Sequence, residues 1–260
     1  MQQTVHSKKI TMDRKRLITL ALCALGTLCA HAQKDDFGIW SEVNVEKKLS
    51  KKWSLDGGVE MRTRDNTGTI DRWSFGVGAN YKLTDWLKLS AGYNLLDDNR
   101  HKVNDSGKKI AKYWGLRHRF NLSATLSHSF GNLTVSLRER YQFTYRPERT
   151  VKRYWNYTDE DEDRYEGEYA DDHTFSGKSK HVWRNRLQLK YKITKVWRPY
   201  VNVETHVSSG LEKIRYAAGT EIRLDKHHSL DVKYLYQNIR NTDDDEGNSH
   251  ILGLGYTYSF

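Results

Sequence analysis

Cysteine occurs only twice in the 260 residues, at Cys23 and Cys29, and proline only twice, at Pro147 and Pro199. Both cysteines lie in the apolar run Leu17–Ala30, which follows the charged Met12-Asp13-Arg14-Lys15-Arg16 and ends at the small-x-small site Ala30-His31-Ala32. That order is the pattern of a cleavable secretory leader. Residues 1–32 therefore read as leader, with Met12 an adequate start, and 33–260 as a single domain. Leu22 and Leu28 precede the cysteines, where lipid attachment wants a small residue. Cleavage removes both thiols, which excludes a disulfide, a thiol nucleophile and a thiolate metal site from the mature chain.

Long apolar runs are also missing. Mean hydropathy is −0.84, and beyond the leader nothing approaches the ~20 apolar residues of a spanning helix. A helical membrane protein is excluded. A β-barrel is not, because its strands need only one apolar face. No glycine-rich phosphate loop and no zinc-spaced cysteine or histidine set is present, so neither cofactor nor metal is expected. The leader holds five basic residues and one acid, so the net charge of +10 becomes +6 after cleavage. For a secreted chain the acidic partners within reach are lipid headgroups, lipopolysaccharide phosphates and small anions rather than nucleic acid.

What is abundant is alternation. Trp53, Leu55, Gly57, Val59 and Met61 interleave with Ser54, Asp56, Gly58, Glu60 and Arg62, and the same period of two returns in Arg72–Leu83 and Leu87–Leu95. Each reads as a strand with one greasy face. Further strands are expected at 39–48, 116–126, 133–146, 182–193, 199–208, 214–224, 229–238 and 251–260. Most are about ten residues long or more, the length a tilted strand needs to cross hydrocarbon, whereas soluble strands average five or six.

Connections alternate between short turns (49–52, 84–86, 127–131, 194–196, 225–228) and longer polar links (65–71, 96–113, 147–180, 209–213, 239–250). Short periplasmic turns and long external loops are the outer-membrane arrangement. Trp53, Trp86 and Trp197 stand at short turns, where an interfacial aromatic girdle belongs. Both prolines lie at strand ends, where a missing N–H disrupts least. The expected fold is all-β, an antiparallel up-and-down transmembrane β-barrel of about 10–12 strands. Eleven can be counted, and because single-chain bacterial barrels usually have an even number, ten or twelve are expected.

The chain ends Tyr256-Thr-Tyr258-Ser-Phe260, which resembles the terminal signature read by the barrel assembly machinery. Arg72-Trp73-Ser-Phe-Gly-Val-Gly, Leu116-Arg117-His118-Arg119, Trp183-Arg-Asn-Arg186-Leu-Gln-Leu-Lys-Tyr191, Trp197-Arg-Pro-Tyr200 and Ile251-Leu-Gly-Leu-Gly-Tyr256 together resemble the uncharacterised family called domain of unknown function 2490 (DUF2490). The resemblance covers nearly the whole mature chain and implies an outer-membrane barrel of Gram-negative bacteria with no established activity.

If the apolar phase faces lipid, the other phase lines the lumen with Arg117, Arg119, Arg138, Arg140, Arg184, Arg186, Lys190, Arg215 and Arg223, against Glu60, Glu204 and Glu221. Such a lumen is either a small anion-favouring pore or a closed barrel of arginine–carboxylate pairs. An alternative function is a lipid-acting hydrolase. His206-Val-Ser208-Ser-Gly210 resembles the His-x-Ser-x-Gly spacing of outer-membrane phospholipases, although no residue is evident to orient the imidazole. His118 and Glu139 fall on the lipid phase of two joined strands and are expected to lie diagonally close, with a local bulge or an interface covering them. The acidic stretches within 146–180 and at 243–246 lack the calcium-loop pattern and read as solvated loops.

Overall fold

The computed structural model describes residues 35–158, 164–241 and 247–260, so the expected leader lies outside the described residues. The strands are β1 (Asp36–Lys48), β2 (Trp53–Arg64), β3 (Thr69–Lys82), β4 (Leu87–Val103), β5 (Lys109–Phe130), β6 (Leu133–Arg146), β7 (Arg149–Thr158), β8 (Arg164–Phe175), β9 (Lys178–Tyr191), β10 (Trp197–Val207), β11 (Leu211–Arg223), β12 (His228–Ile239) and β13 (Ser249–Ser259). Eleven of them close a barrel in the order β1-β2-β3-β4-β5-β6-β9-β10-β11-β12-β13. All eleven strands expected from the alternation are present.

The expectation of an even number is corrected. Chain direction alternates around the wall, so in an eleven-stranded barrel the first and last strands run the same way. β1 and β13 meet in parallel over eleven residue pairs, from Asp36↔Ser249 to Glu46↔Ser259, while every other pairing in the wall is antiparallel. The seam extends past β13: Phe260 donates its N–H to the Glu46 carbonyl (2.9 Å) and its own carbonyl accepts from Lys48 N–H (3.1 Å). Parallel pairing is slightly weaker per residue than antiparallel, and these added bonds lengthen the one parallel join in the wall.

Exposure follows the sequence phase. In β3, Trp73, Phe75 and Val77 point outward at 36%, 50% and 63% exposure, whereas Arg72 and Ser74, one residue away, are buried. An apolar outer face of this kind is stable only against lipid. Trp53, Trp86 and Trp197 are all exposed at the short-turn end. Inside, Trp40 packs against the small apolar cluster Ala217, Leu235 and Ile251.

Two expected links are largely strand: β4 and β5 take up 96–113 apart from residues 104–108, and two further strands lie within 147–180. Residues 149–158 and 164–175 pair as the antiparallel strands β7 and β8, which add onto the part of β5 that extends past β6, at Lys109↔Trp155 and Ile110↔Tyr154. The acidic segments 159–163 and 242–246 lie outside the described residues.

Candidate functional site

The inward phase gathers charge into two carboxylate hubs. Asp98 on β4 accepts from Arg72 Nε on β3 (2.5 Å), from Arg117 Nε and Nη2 on β5 (2.5 and 2.7 Å) and from Arg100 Nη2 (3.4 Å). Glu204 on β10 accepts from Arg184 Nη2 on β9 (2.5 Å) and from Arg138 Nη2 on β6, is bonded to His206 Nε2 (2.9 Å), and has Arg215 Nη1 of β11 at 4.0 Å. The register explains this convergence: Arg138↔Arg186↔Glu204↔Arg215 is a continuous row across four strands, with side chains on one face. Smaller pairs join Glu60 to Arg62 (2.7 Å) and Glu221 to Lys190 (2.7 Å) and Arg223 (2.5 Å).

Two arginines have no such partner. Arg119 and Arg186 make no hydrogen bond or ion pair within the described residues, and the Nε of each is buried without an acceptor. Arg140 is held only by the Ser123 hydroxyl (2.8 Å). Seven of the eight sequence-expected arginines line one or both lumen cavities, while Arg223 is half-exposed at the short-turn end and pairs with Glu221. The alternation left Asp98, Arg62, Arg72 and Trp40 out of the expected site; their inward phase was the only signal that could have found them.

The lumen has two chambers. At the long-loop end a cavity of about 330 Å³ is lined by Arg72, Arg100, Lys102, Arg117, Lys178 and Lys180 among others, twelve lysines and arginines in all against one carboxylate, Glu212. At the short-turn end a cavity of about 550 Å³ carries nine cationic side chains and four carboxylates. Arg62, Arg119, Arg184 and Arg215 line both and form the waist between them. Trp40 clamps the waist from β1, with the Arg62 guanidinium 3.7 Å and the Arg215 guanidinium 5.0 Å from its ring centroid.

The β7–β8 hairpin sends Phe175, the last residue of β8, to the lining of the outer chamber, stacked on Tyr113 at 5.6 Å. Its anchor is Asp171, which accepts from Arg153 Nε and Nη2 (both 2.8 Å) and from Lys109 Nζ (2.8 Å). The Arg153 hydrogen bonds, with those of Lys109 behind them, hold the Asp171 carboxyl well below the usual carboxylate range. A depressed carboxylate contributes stability that is fully present above its unfolded pKa, near 4, and lost only as the pH falls through the folded value. Acidification from pH 7 to pH 4 is accordingly expected to leave the hairpin docked. Asp171→Asn is expected to speed hydrogen exchange of the Asn156 amide, which donates to Lys108 O (2.9 Å) across the joint, a few-fold at neutral pH. Unchanged exchange would show that the anchor is elsewhere.

Two sequence-expected constellations are taken apart by the structure. A register shift between His206 and Val207 ends the alternation, so His206 stays buried in the outer chamber while Ser208 is exposed in the turn, its N–H donating to Gly210 O (2.9 Å). Ser208 opens on a separate surface pocket with Ser209 and Gly210, and His206 Nε2 is engaged by Glu204. A serine and a base in different pockets do not make an activated nucleophile, and the hydrolase alternative is unsupported. His118 and Glu139 are also separate: the β5–β6 register sets His118 opposite Tyr145 and Glu139 opposite Ala124, with no bulge in either strand pairing of β6. Each has its own outward-facing partner, Tyr93 Oη at 2.8 Å from His118 Nδ1 and Trp183 Nε1 donating to Glu139 (2.7 Å).

Among the described residues no group of three or more His, Cys, Asp or Glu side chains is placed to hold a metal ion.

The family model described as "Protein of unknown function (DUF2490)" matches residues 37–248, from the second residue of β1 to the turn before β13. The chain belongs to this family. In DUF2490 terms, the matched span contains every lumen arginine discussed above. No curated protein is similar in sequence. Among solved structures this DUF2490 member is similar to the beta domain of the Bordetella autotransporter BrkA, at 16% identity and a TM-score of 0.53 over 82% of this chain and 86% of that one. It is also similar to the translocator domain of autotransporter NalP from Neisseria meningitidis, at 12% identity and a TM-score of 0.51 over 87% and 92%. At such identities the likeness is one of fold: a closed barrel of the outer-membrane type.

Proposed function

We propose that this barrel sits in the outer membrane, which it reaches after secretion through the periplasm, and admits small anions through its basic lumen. The observation that carries the reading is the outer chamber, where twelve cationic side chains face about 330 Å³ of space against one lining carboxylate. Fixed charge of one sign inside a low-dielectric wall concentrates counter-ions and repels cations. The carboxylate hubs stand behind this surface and neutralise part of it, yet they leave the chamber strongly positive.

Lipid and lipopolysaccharide are the surroundings this reading requires, and the terminal strand with Tyr256, Tyr258 and Phe260 is the segment by which the assembly machinery would take up the chain. In a planar bilayer under a KCl gradient, the purified protein is expected to conduct with a reversal potential of chloride sign and a chloride preference of at least about threefold. No current at any salt concentration, or a potassium preference, would overturn the proposal.

A further inference from the structure

The inner chamber carries more positive charge than its own acids can meet, and the excess is localised. Glu60 is taken by Arg62 (2.7 Å), Glu204 by Arg138 and Arg184, Asp56 by Asn80 (2.6 Å), and Glu42 has Lys233 Nζ at 3.8 Å. Arg215 keeps Glu204 at 4.0 Å, Lys88 is exposed, and Arg119 stands at the waist shared with the outer chamber. The cations that remain are Arg140 on β6 and Arg186 on β9, two guanidiniums on neighbouring strands without a carboxylate among their hydrogen-bond partners. Arg140 lies opposite Arg184, so Arg186 is its diagonal neighbour, about 7–8 Å away at the backbone. Both face the same cavity of about 550 Å³.

Burying a guanidinium Nε–H without an acceptor, as at Arg186, is costly, and a second like charge beside it adds to the cost. A bound dianion would offset both at once. Its shape is constrained too, since the guanidinium fork matches tetrahedral or planar oxyanions through paired hydrogen bonds, which a halide ion cannot reciprocate. Neutral groups border the arginines: Asn121 donates to Asn94 (2.9 Å) while its own Oδ1 is buried without a partner.

We propose that Arg140 and Arg186 bind a phosphate-class dianion in the inner chamber, either free phosphate or the phosphate of a small hydroxylated ester whose hydroxyls meet the Asn94–Asn121 side. The inference rests on the reading that anions enter the lumen, and it adds a retention site to that route. The chamber volume is in the range of small-ligand pockets.

The test uses the full-length protein, purified in detergent and titrated calorimetrically with sodium phosphate, glycerol phosphate and sodium chloride at matched ionic strength. Saturable binding of phosphate, with no saturable chloride binding, is expected, and tighter binding of glycerol phosphate would identify the ester as the ligand. Arg140→Lys with Arg186→Lys keeps the charge and removes both forks; it is expected to weaken phosphate binding about tenfold. Lys226→Gln, in the turn before β12, is expected to leave it unchanged. If phosphate binds no better than chloride, or the double lysine variant binds as wild type does, the site is refuted. In the bilayer, chloride-selective current that phosphate fails to inhibit would refute the site and leave the anion passage standing. Phosphate binding in detergent by a protein that carries no current would do the reverse.

Discussion

Glu204→Gln is expected to destabilise the barrel by about 3–5 kcal/mol, the range found when one partner of a buried ion pair is removed. Glu204 is 5% exposed, so solvent screening offers little relief. Its carboxylate is the single anion shared by Arg138, Arg184, His206 and, at 4.0 Å, Arg215. Glutamine keeps the shape and one acceptor while removing the charge, and leaves a row of guanidiniums on β6, β9 and β11 facing one another. Denaturant unfolding in lipid vesicles, followed by tryptophan fluorescence, measures the loss. A change under about 1 kcal/mol would mean that water in the lumen already solvates these arginines, as at exposed pairs.

Trp40→Ala is expected to have the largest effect on conduction. The ring holds Arg62 and Arg215 at the waist and packs against Ala217, Leu235 and Ile251. Truncation removes a half-buried aromatic, at a cost of about 2–4 kcal/mol, and frees two of the four guanidiniums that line both chambers. Single-channel conductance is expected to rise about twofold while the chloride preference persists, because the charge count of the passage is unchanged. Reduced stability with unaltered conductance would place the narrowest point elsewhere in the lumen.

The wall was legible because lipid on one side and charge on the other impose a period of two that no local propensity overrides. Trp73 and Phe75 out with Arg72 and Ser74 in is such a case. The eight arginines inherit their direction from that phase. Their partners do not: Asp98 meets Arg72 and Arg117 only because β3, β4 and β5 lie side by side in a particular register, and alternation within a strand carries no information about register between strands. The β7–β8 hairpin was hidden for a related reason. It pairs with β5 only at Lys109 and Ile110 and stands outside the closed wall, so Tyr, Asp, Lys and Arg recur along it and no greasy phase marks it. The separation of His206 from Ser208 turns on one register shift at the strand end; the Ser208-Ser209-Gly210 stretch signals a turn but not which residue leaves the strand, and the expected proximity of His118 and Glu139 failed against a hairpin register that sets each opposite another residue.

The parallel seam has a consequence for the order of events during biogenesis. The backbone groups of β13 that face β1 join the two ends of the wall, and Phe260 is bonded to Glu46 and Lys48 in the finished barrel. Any factor that escorts the terminal strand by adding a strand to that edge competes with β1 for the same amides and carbonyls. Pairing of Asp36–Glu46 along β13 must then displace the escort, so that sealing the cylinder and leaving the escort are one exchange reaction, driven by residues more than two hundred positions apart in the chain.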